Sequence, residues 1–419
     1  MNYRQCVNYL FNLQKFGIKL GLANTEKLLN YLGNPHFKYP SVHIAGTNGK
    51  GSVCAMLESI LRQQGLKTGL YTSPHLVSFR ERIRICGKRI EPEFITEFVN
   101  HLKKRIDRDE YTFFEVTTAL AFLYFAEKKV NIAVIETGLG GRLDSTNVIQ
   151  PEVTGITSIA LEHTDILGKS LNKIAYEKGG IVKAGVATVV GMSNPGITKY
   201  LETLCEKRDS EFVAVEDNSG WQIKEMSMDG SLFTATVGGK KYGNLKTNLA
   251  GRHQVKNAVF ALNVVELLRK KGWNISDRAV KSSLKKVLWP CRFEVWRENP
   301  LVILDAAHNP SGIQTLVETF KDLLPDKKIN FVFGVMADKN YKEMLRLLTP
   351  ITKSMFLVQP QGERSASLAE LSAITDELKV NHTTFKSVRR GYQRALRQNT
   401  KNDVICVTGS HYTLGELLS

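Results

Sequence analysis

The sequence has few of the features that mark secreted or membrane-spanning proteins. Its six cysteines form no Cys-x-x-Cys pair and no zinc-finger spacing, so we expect a reduced, cytoplasmic protein. The longest apolar run, residues 119–126, is far shorter than the ~20 residues that a membrane helix needs. Lys15 and Lys19 interrupt the N-terminal segment, which therefore does not resemble a signal peptide. These absences predict that the protein does not associate with a membrane.

The composition is that of a globular protein with a surplus of positive charge. The chain has 419 residues, 42% hydrophobic and 23% charged, which predicts two or three domains. Its 57 Lys and Arg exceed its 41 Asp and Glu, giving a formal net charge of +16. Such a surplus either indicates binding to nucleic acid or other anions, or is spread over solvated surfaces. Because no basic run contains interleaved aromatic residues, we favour the second interpretation and expect no nucleic-acid partner.

From residue 41 onward, short β-branched runs alternate with longer amphipathic stretches, a pattern typical of a parallel sheet with helices on both faces. The predicted strands before the boundary are 42–45, 67–72, 132–135, 153–159 and 186–190. A second series follows Trp289 and Pro290, with strands predicted at 301–304, 329–333, 355–358 and 404–407. We expect an α/β protein: a mostly parallel sheet domain at 1–288, with a small antiparallel excursion in 208–247, and a smaller Rossmann-like α/β domain at 289–419.

A glycine-rich turn joins the strand at 42–45 to a predicted helix and reads Gly46-Thr47-Asn48-Gly49-Lys50-Gly51-Ser52. Backbone N–H groups, the helix dipole and the Lys50 charge together suit a phosphate group, as in a P-loop. Gly51 stands where a metal-binding hydroxyl usually follows the lysine. An ordinary βα turn is the alternative, but strand, lysine and helix together favour nucleotide binding. Either Ser52 or Ser73 could then hold Mg²⁺ on the phosphates.

Polar residues follow several of the predicted strands. Ser73, Glu136 and His163 each come at or just after a strand end, so a parallel sheet would deliver them to one edge. Oxygen donors such as Glu136 suit Mg²⁺. Taken singly, Glu136 could be a charged strand end and His163 a structural histidine, and Lys178 is by default a solvated lysine.

The sequence resembles the folylpolyglutamate synthase/dihydrofolate synthase family, within the Mur ligase superfamily of ATP-dependent amide-bond ligases. The resemblance extends over almost the whole chain, in the family's order, and rests on these motifs: KFGIKLGL (15–22), HIAGTNGKGS (43–52), YTSPHL (71–76), RERI (80–83), TFFE (112–115), ETGLGGRLDSTN (136–147), SIALEHTDILG (158–168), EKGGI (177–181), PCRFE (290–294), LDAAHNP (304–310), FGVMADKN (333–340) and TGSHYTLGE (408–416).

The resemblance implies roles for specific residues. ATP would be bound by Thr47, Asn48, Gly49, Lys50, Gly51 and Ser52, and from the second domain by Asn257, Arg292, Asp305 and His308. Two Mg²⁺ ions would be held by Ser73, Glu136 and His163, and a monovalent cation could accompany them. Lys178 matches a lysine that carries a carbamate, and the residues implied in catalysis are Lys50, Lys178, His163 and His308. The pteroate pocket would comprise Thr112, Phe113, Phe114, Glu115, Leu143, Asp144 and Ser145.

The implied reaction transfers the γ-phosphoryl group of ATP to a folate carboxylate, and the amino group of L-glutamate then attacks the acyl phosphate. The products are an amide, ADP and phosphate. The pocket motifs favour a bifunctional enzyme that accepts dihydropteroate as well as reduced folates. We expect a monomer whose partners are these small molecules, and a second domain that closes over the nucleotide to exclude water.

Two other functions fit parts of the sequence. A peptidoglycan-precursor ligase of the same superfamily carries a UDP-binding domain ahead of the loop, and only 45 residues precede Gly46 here. A non-catalytic, nucleic-acid-binding P-loop protein would account for the charge of +16. One departure from the family pattern is Cys291, which replaces a glycine before Arg292; we expect it to alter the hinge, since glycine reaches φ > 0 most readily.

Overall fold

The computed structural model describes residues 1–17, 19, 21–191, 194–362 and 364–419. Ile18 and Leu20, which belong to the KFGIKLGL motif, lie outside the described residues. The chain divides into two compact units. Unit 1 comprises Met1–Trp221, Ala235–Tyr242 and Asn257–Val287, and unit 2 comprises Gln222–Thr234, Gly243–Lys256 and Leu288–Ser419. The predicted boundary between residues 288 and 289 stays a prediction; in the structure, unit 2 also includes two earlier segments.

Unit 1 is built on a mostly parallel sheet. Its strands are β1 (Ser41–Ala45), β2 (Thr68–Tyr71), β3 (Ile83–Ile85), β4 (Lys88–Arg89), β5 (Ile132–Glu136), β6 (Val153–Ile156), β7 (Thr188–Val190) and β8 (Phe212–Ala214). They lie in the order β4-β3-β2-β5-β1-β6-β7-β8, with β3 and β4 antiparallel to their neighbours and the others parallel. The parallel strands are buried along nearly their whole length, which explains why Val, Ile and Thr are frequent in them.

The first helices of the chain are α1 (Tyr3–Asn12), α2 (Ala23–Tyr31), α3 (Lys50–Gln63), α4 (Pro92–Asp109), α5 (Phe113–Glu127), α6 (Thr164–Leu167), α7 (Leu171–Gly179), α8 (Pro195–Glu206) and α9 (Val215–Asn218). The apolar helix α5 is buried on nearly all sides, and its residues form a core with α1, α4 and the sheet. Because β2, β5, β1 and β6 are parallel neighbours, their carboxyl ends share one edge of the sheet.

A small separate sheet lies in the region where a short excursion is predicted. It consists of β9 (Ser219–Ser227), β10 (Gly230–Val237) and β11 (Lys240–Thr247), in the order β11-β10-β9. Two helices follow it, α10 (Arg252–Lys270) and α11 (Asp277–Leu284).

The C-terminal part of unit 2 has its own sheet, made of β12 (Glu294–Arg297), β13 (Leu301–Leu304), β14 (Ile329–Phe333), β15 (Thr352–Val358), β16 (His382–Phe385) and β17 (Val404–Thr408). The order is β12-β13-β17-β14-β15-β16, and only β12 pairs antiparallel within this described sheet. Its helices are α12 (Pro310–Leu323), α13 (Tyr341–Leu348), α14 (Leu368–Glu377), α15 (Val388–Gln398) and α16 (His411–Leu418). The predicted α/β architecture, a larger sheet followed by a smaller one, is confirmed.

Nowhere in the described part of the chain does a helix combine the length and apolar composition that crossing a bilayer requires.

Candidate functional site

The glycine-rich loop after β1 is fastened to the segment that follows β6. Gly46 adopts φ +145°, and a Cβ at this position would overlap Thr157 Oγ1. The Asn48 carbonyl accepts hydrogen bonds from Thr157 Oγ1 at 2.7 Å and Ser158 Oγ at 3.0 Å. The loop therefore needs glycine at 46, and it is held in shape from a neighbouring strand end. Sequence reasoning missed Thr157 and Ser158, because these contacts join residues more than 100 positions apart.

Two lysines donate to the same carbonyl of this loop. Lys50 Nζ lies 3.0 Å from the Gly46 oxygen and 3.1 Å from the Thr47 oxygen, and Lys178 Nζ lies 2.8 Å from the Gly46 oxygen. Lys178 is only 4% exposed, so its default interpretation as a solvated lysine is wrong. Burial, together with the nearby Lys50 charge, lowers the pKa of Lys178 to about 7. A lysine with this pKa is partly a neutral amine at physiological pH, which is the nucleophilic form.

The first turn of α3 faces Asn257. Gly49 adopts φ +88° as the N-cap of α3, and a Cβ there would lie 2.6 Å from Asn257 Oδ1. Asn257 is thus beside the phosphate loop, and it belongs to unit 1. The expectation that Asn257 approaches the nucleotide from the second domain is wrong, because the start of α10 passes from unit 2 into unit 1 at this residue. Gly51 and Ser52 lie in the same first turn, and Ser52 is buried.

Ser73 and Glu136 meet at the shared strand edge. The Ser73 backbone N–H donates to Glu136 Oε2 at 3.1 Å, and Glu136 is 4% exposed at the end of β5. His163 follows β6 and immediately precedes α6, with φ +49°; its Nε2 lies 3.9 Å from Glu162 Oε1. A buried carboxylate beside a serine is a donor set that fits Mg²⁺. Within the described residues, no group of three or more His, Cys, Asp or Glu side chains could hold a metal; the predicted set contains only two residues of these types.

The TFFE motif begins α5, and two of its side chains cap that helix. Thr112 N–H donates to Glu115 Oε2 at 2.7 Å, and Glu115 N–H donates to Thr112 Oγ1 at 3.3 Å. The other Glu115 oxygen, Oε1, is buried, and among the described residues no donor reaches it. A buried acceptor of this kind calls for a hydrogen-bond partner.

The two phenylalanines of the motif face different neighbours. A Cβ at Gly138 would overlap the Phe114 ring, so Phe114 covers the turn that follows β5. Phe113 stacks on Phe11, with ring centroids 5.7 Å apart, and the Arg82 guanidinium lies 5.1 Å from its centroid. Phe11 and Arg82 are residues that sequence reasoning did not assign to the pocket, although RERI, which includes Arg82, is one of the family motifs.

The turn from Gly138 to Ser145 is closed by Asp144. Its Oδ2 accepts the Leu139 N–H at 2.7 Å, and its Oδ1 accepts the Thr146 N–H at 3.0 Å. Asp144 and Ser145 are buried and Leu143 is half-buried. The structure therefore brings the Phe114 ring and this turn together, whereas the Asp144 carboxylate already has partners within the turn.

The predicted nucleotide-binding residues of unit 2 form a second group. Asp305 Oδ2 accepts the Phe293 N–H at 2.8 Å and its Oδ1 accepts the Ala307 N–H at 2.9 Å. Burial raises the pKa of Asp305. Asp305 thus ties the turn containing Arg292 to the end of β13.

Two histidines lie in the same group as Arg292. Arg292 Nη2 is 3.4 Å from His411 Nε2, and the rings of His308 and His411 have centroids 5.0 Å apart. His411 was missed, although it stands in the TGSHYTLGE motif. Cys291 adopts φ +58°, so this residue takes the left-handed conformation without glycine, and its expected effect on the hinge stays a prediction.

The unit 1 fold and its loop define a P-loop α/β protein, and the family comparisons agree. The family model described as Mur ligase middle domain matches residues 44–265, and the Mur ligase, glutamate ligase domain matches residues 291–411. A Bacillus subtilis (strain 168) protein named dihydrofolate synthase/folylpolyglutamate synthase is 36% identical over 99% of this chain and 98% of its own. The chain belongs to the dihydrofolate synthase/folylpolyglutamate synthase family of Mur ligases.

Solved structures of the same family superpose over the whole chain. Mycobacterium tuberculosis folylpolyglutamate synthase complexed with ADP is 30% identical, with a TM-score of 0.91 over 99% of this chain and 98% of that chain. Escherichia coli FolC in complex with DHPP and ADP is 28% identical, with a TM-score of 0.89 over 100% of this chain and 97% of that chain.

Proposed function

We propose that this protein is an ATP-dependent ligase that joins L-glutamate to the carboxylate of a pteroate or folate. The γ-phosphoryl group of ATP passes to that carboxylate, and the glutamate amine displaces phosphate from the acyl phosphate to form the amide. The observation that carries the proposal is the phosphate loop at which Lys50 and Lys178 converge, in a chain of this family. ADP in the related structures supports use of ATP.

The glycine-rich loop and the start of α3 are proposed to bind the phosphates. Backbone N–H groups at the start of α3 and the helix dipole favour an anion, and Lys50 adds a mobile charge. Lys50 donates to loop carbonyls in this structure, so it must exchange these bonds for phosphate oxygens when ATP binds. Thr47, Asn48, Gly49, Gly51 and Ser52 complete the proposed site.

Ser73, Glu136 and His163 would hold Mg²⁺, and two ions are proposed. When bound, the ions would offset the negative charge that accumulates as a carboxylate approaches a triphosphate. The burial of Glu136 and its contact with the Ser73 backbone support the assignment, since a fixed carboxylate needs little rearrangement to bind a cation. A monovalent cation belongs to the same proposal.

Lys178 is proposed to carry a carbamate. Its neutral amine would attack CO₂: a C–N bond forms, one C–O π bond of CO₂ opens to give a carboxylate, and the amine nitrogen releases one proton to solvent. A neutral amine would thus become an oxygen-donor anion. The burial of Lys178 and its pKa of about 7 support this, because an ordinary lysine is almost wholly protonated at neutral pH.

The acceptor substrate is proposed to bind beside Phe114 and the turn ending at Ser145, which the Phe114 ring contacts at Gly138. Glu115 Oε1 offers a buried acceptor to a pterin N–H, and Thr112, Phe113, Leu143 and Asp144 line or shape the same pocket. The E. coli structure named with DHPP supports dihydropteroate as one acceptor. We extend the proposal to reduced folates, and so to a bifunctional enzyme.

Arg292, Asp305 and His308 are proposed as nucleotide-binding residues of unit 2, and Lys50, Lys178, His163 and His308 are proposed to act in catalysis. The proposal also includes a monomer in the cytoplasm without a nucleic-acid partner. Six free thiols agree with a reducing compartment.

The test is ADP formation with ATP and L-glutamate, with dihydropteroate or tetrahydrofolate as acceptor. We expect turnover that requires glutamate and either acceptor. Glu136→Gln should abolish ADP formation and leave the melting temperature unchanged. Replacing the exposed Glu127 with glutamine should leave ADP formation unchanged. ADP release without an acceptor, or near-normal turnover in Glu136→Gln, would contradict the proposal.

A further inference from the structure

A histidine lies wholly inside the sheet, three residues before the phosphate loop. His43 is on the central strand β1 and is 0% exposed, and its register partners are Ile135 of β5 and Thr154 of β6. Burying a polar ring without a partner is unfavourable, so its hydrogen bonds need an explanation. His43 Nε2 lies 2.8 Å from Thr146 Oγ1, across 103 positions of sequence.

The direction of this bond follows from the next one. Thr146 Oγ1 donates its single proton to Asp144 Oδ1 at 2.5 Å, so toward His43 it can only accept. His43 therefore carries its proton on Nε2 and donates it to Thr146. Burial, with the nearby Lys183 charge, lowers the pKa of His43 to about 3, which agrees with a neutral ring. The result is a buried hydrogen-bond relay, in which His43 donates to Thr146 and Thr146 donates to Asp144.

The relay ends on the turn that faces Phe114. Asp144 also accepts the backbone N–H groups of Leu139 and Thr146, so its carboxylate gathers both ends of the turn. At the other end of the turn, Gly138 lies against the Phe114 ring. The turn is thus held between the ring of the proposed acceptor pocket and the strand that leads into the phosphate loop.

We propose that His43 and Thr146 are positioning residues for the acceptor substrate: they hold Asp144, and through it the turn at 138–146, in the conformation that the pteroate pocket requires. This inference rests on the proposed function. In this proposal Asp144 acts as a clamp on the turn, through the hydrogen bonds that it accepts from Leu139 and Thr146. The proposal predicts that the affinity for the acceptor substrate depends on a hydroxyl group at position 146.

The experiment compares Thr146→Val, which keeps the side chain's shape, with Thr146→Ser, which keeps the hydroxyl. The matched control is Thr68→Val, because Thr68 is also a fully buried threonine of unit 1, whose hydroxyl donates to the Leu66 carbonyl at 3.1 Å. We expect Thr146→Val to raise KM for dihydropteroate about tenfold, because binding to the pocket is weakened. KM for ATP should stay within about twofold of the wild-type value. Thr146→Ser should restore the wild-type KM to within about threefold.

Equal acceptor KM values in Thr146→Val and Thr68→Val would overturn the proposal. So would rises of equal size in KM for dihydropteroate and KM for ATP in Thr146→Val. If Thr146→Val does not fold, ¹⁵N NMR of histidine in the wild-type protein decides. We expect the Nε2–H tautomer for His43 and a shift of its signal when dihydropteroate is added. An Nδ1–H tautomer, or no shift, would overturn the inference. Absence of glutamate-dependent ADP formation in the wild type would instead refute the proposed function, and the tautomer could still be measured.

Discussion

Replacing Lys178 with methionine is expected to make unit 1 more stable while it abolishes ligase activity. Lys178 is 4% exposed, and burial lowers the pKa of its ammonium group from 10.5 to about 7. That depression corresponds to about 4 kcal/mol of stability lost at pH 7 by keeping this lysine in the fold. Methionine has a similar length and no charge, but it gives up the hydrogen bond to Gly46, worth about 1 kcal/mol. We expect a net gain of about 2–4 kcal/mol.

The pH dependence gives this prediction a sign. An unfolded lysine keeps its proton up to pH 10.5, whereas Lys178 in the fold releases it near pH 7. Between these values the unfolded state binds more protons, so the wild type gains stability as the pH rises. Lys178→Met lacks this contribution, and its advantage over the wild type should shrink by about 2 kcal/mol between pH 7 and pH 9.

Urea denaturation at pH 7 and pH 9 measures both effects, in CO₂-free buffer so that Lys178 remains an amine. Lys173→Met, an exposed lysine on the same helix, is the matched control and should change little at either pH. If Lys178→Met is less stable than the wild type at both pH values, or if the gap is independent of pH, the reasoning about desolvation is refuted.

Three further predictions concern other buried groups. Since the pKa of His43 falls to about 3 in the fold, the unfolded state binds more protons than the folded state below pH 6.5. Urea titrations should therefore show that the free energy of unfolding falls by about 2 kcal/mol between pH 7.5 and pH 5. A free energy of unfolding that is independent of pH would contradict this. Gly46→Ala should abolish ADP binding in calorimetry because its Cβ overlaps Thr157, whereas Gly220→Ala, with nothing within 4 Å, should bind normally. Asp305→Asn should lower the melting temperature, because an amide has one acceptor oxygen for two backbone N–H groups; unchanged melting would exclude the clamp on the turn at Arg292.

The features that the sequence predicts well are those that arise locally. The strands β1, β2 and β5 are buried along their whole length and mostly apolar, because both faces of a parallel sheet are covered. The loop after β1 has its glycines and lysine in one short segment. The shared edge then follows from strand order alone, which is why Ser73 and Glu136 could be expected to meet.

The features that sequence reasoning missed depend on contacts between distant segments. Lys178 is a lysine on a short helix, and nothing within that helix indicates that its ammonium reaches Gly46, 132 positions away. Asp144 and Thr112 match pocket motifs, yet their polar groups also stabilise the turn and the start of α5. The residues of α10 are divided between the two units, and Asn257 is the first of them that belongs to unit 1; no composition shift marks this position.

The position of Lys178 gives its charge a direct effect on the phosphate loop. As a cation it repels Lys50, although both lysines donate to the Gly46 carbonyl. As a carbamate it would attract Lys50 and could no longer donate an ammonium proton to that carbonyl. The charge on Lys178 therefore affects how strongly the loop attracts an incoming phosphate. Two neighbouring ammonium groups repel each other and favour an anion at the loop. A carbamate on Lys178 would weaken this preference unless cations bind with it. Carbamylation and Mg²⁺ binding should accordingly favour one another at this site, because each supplies the charge that the other requires.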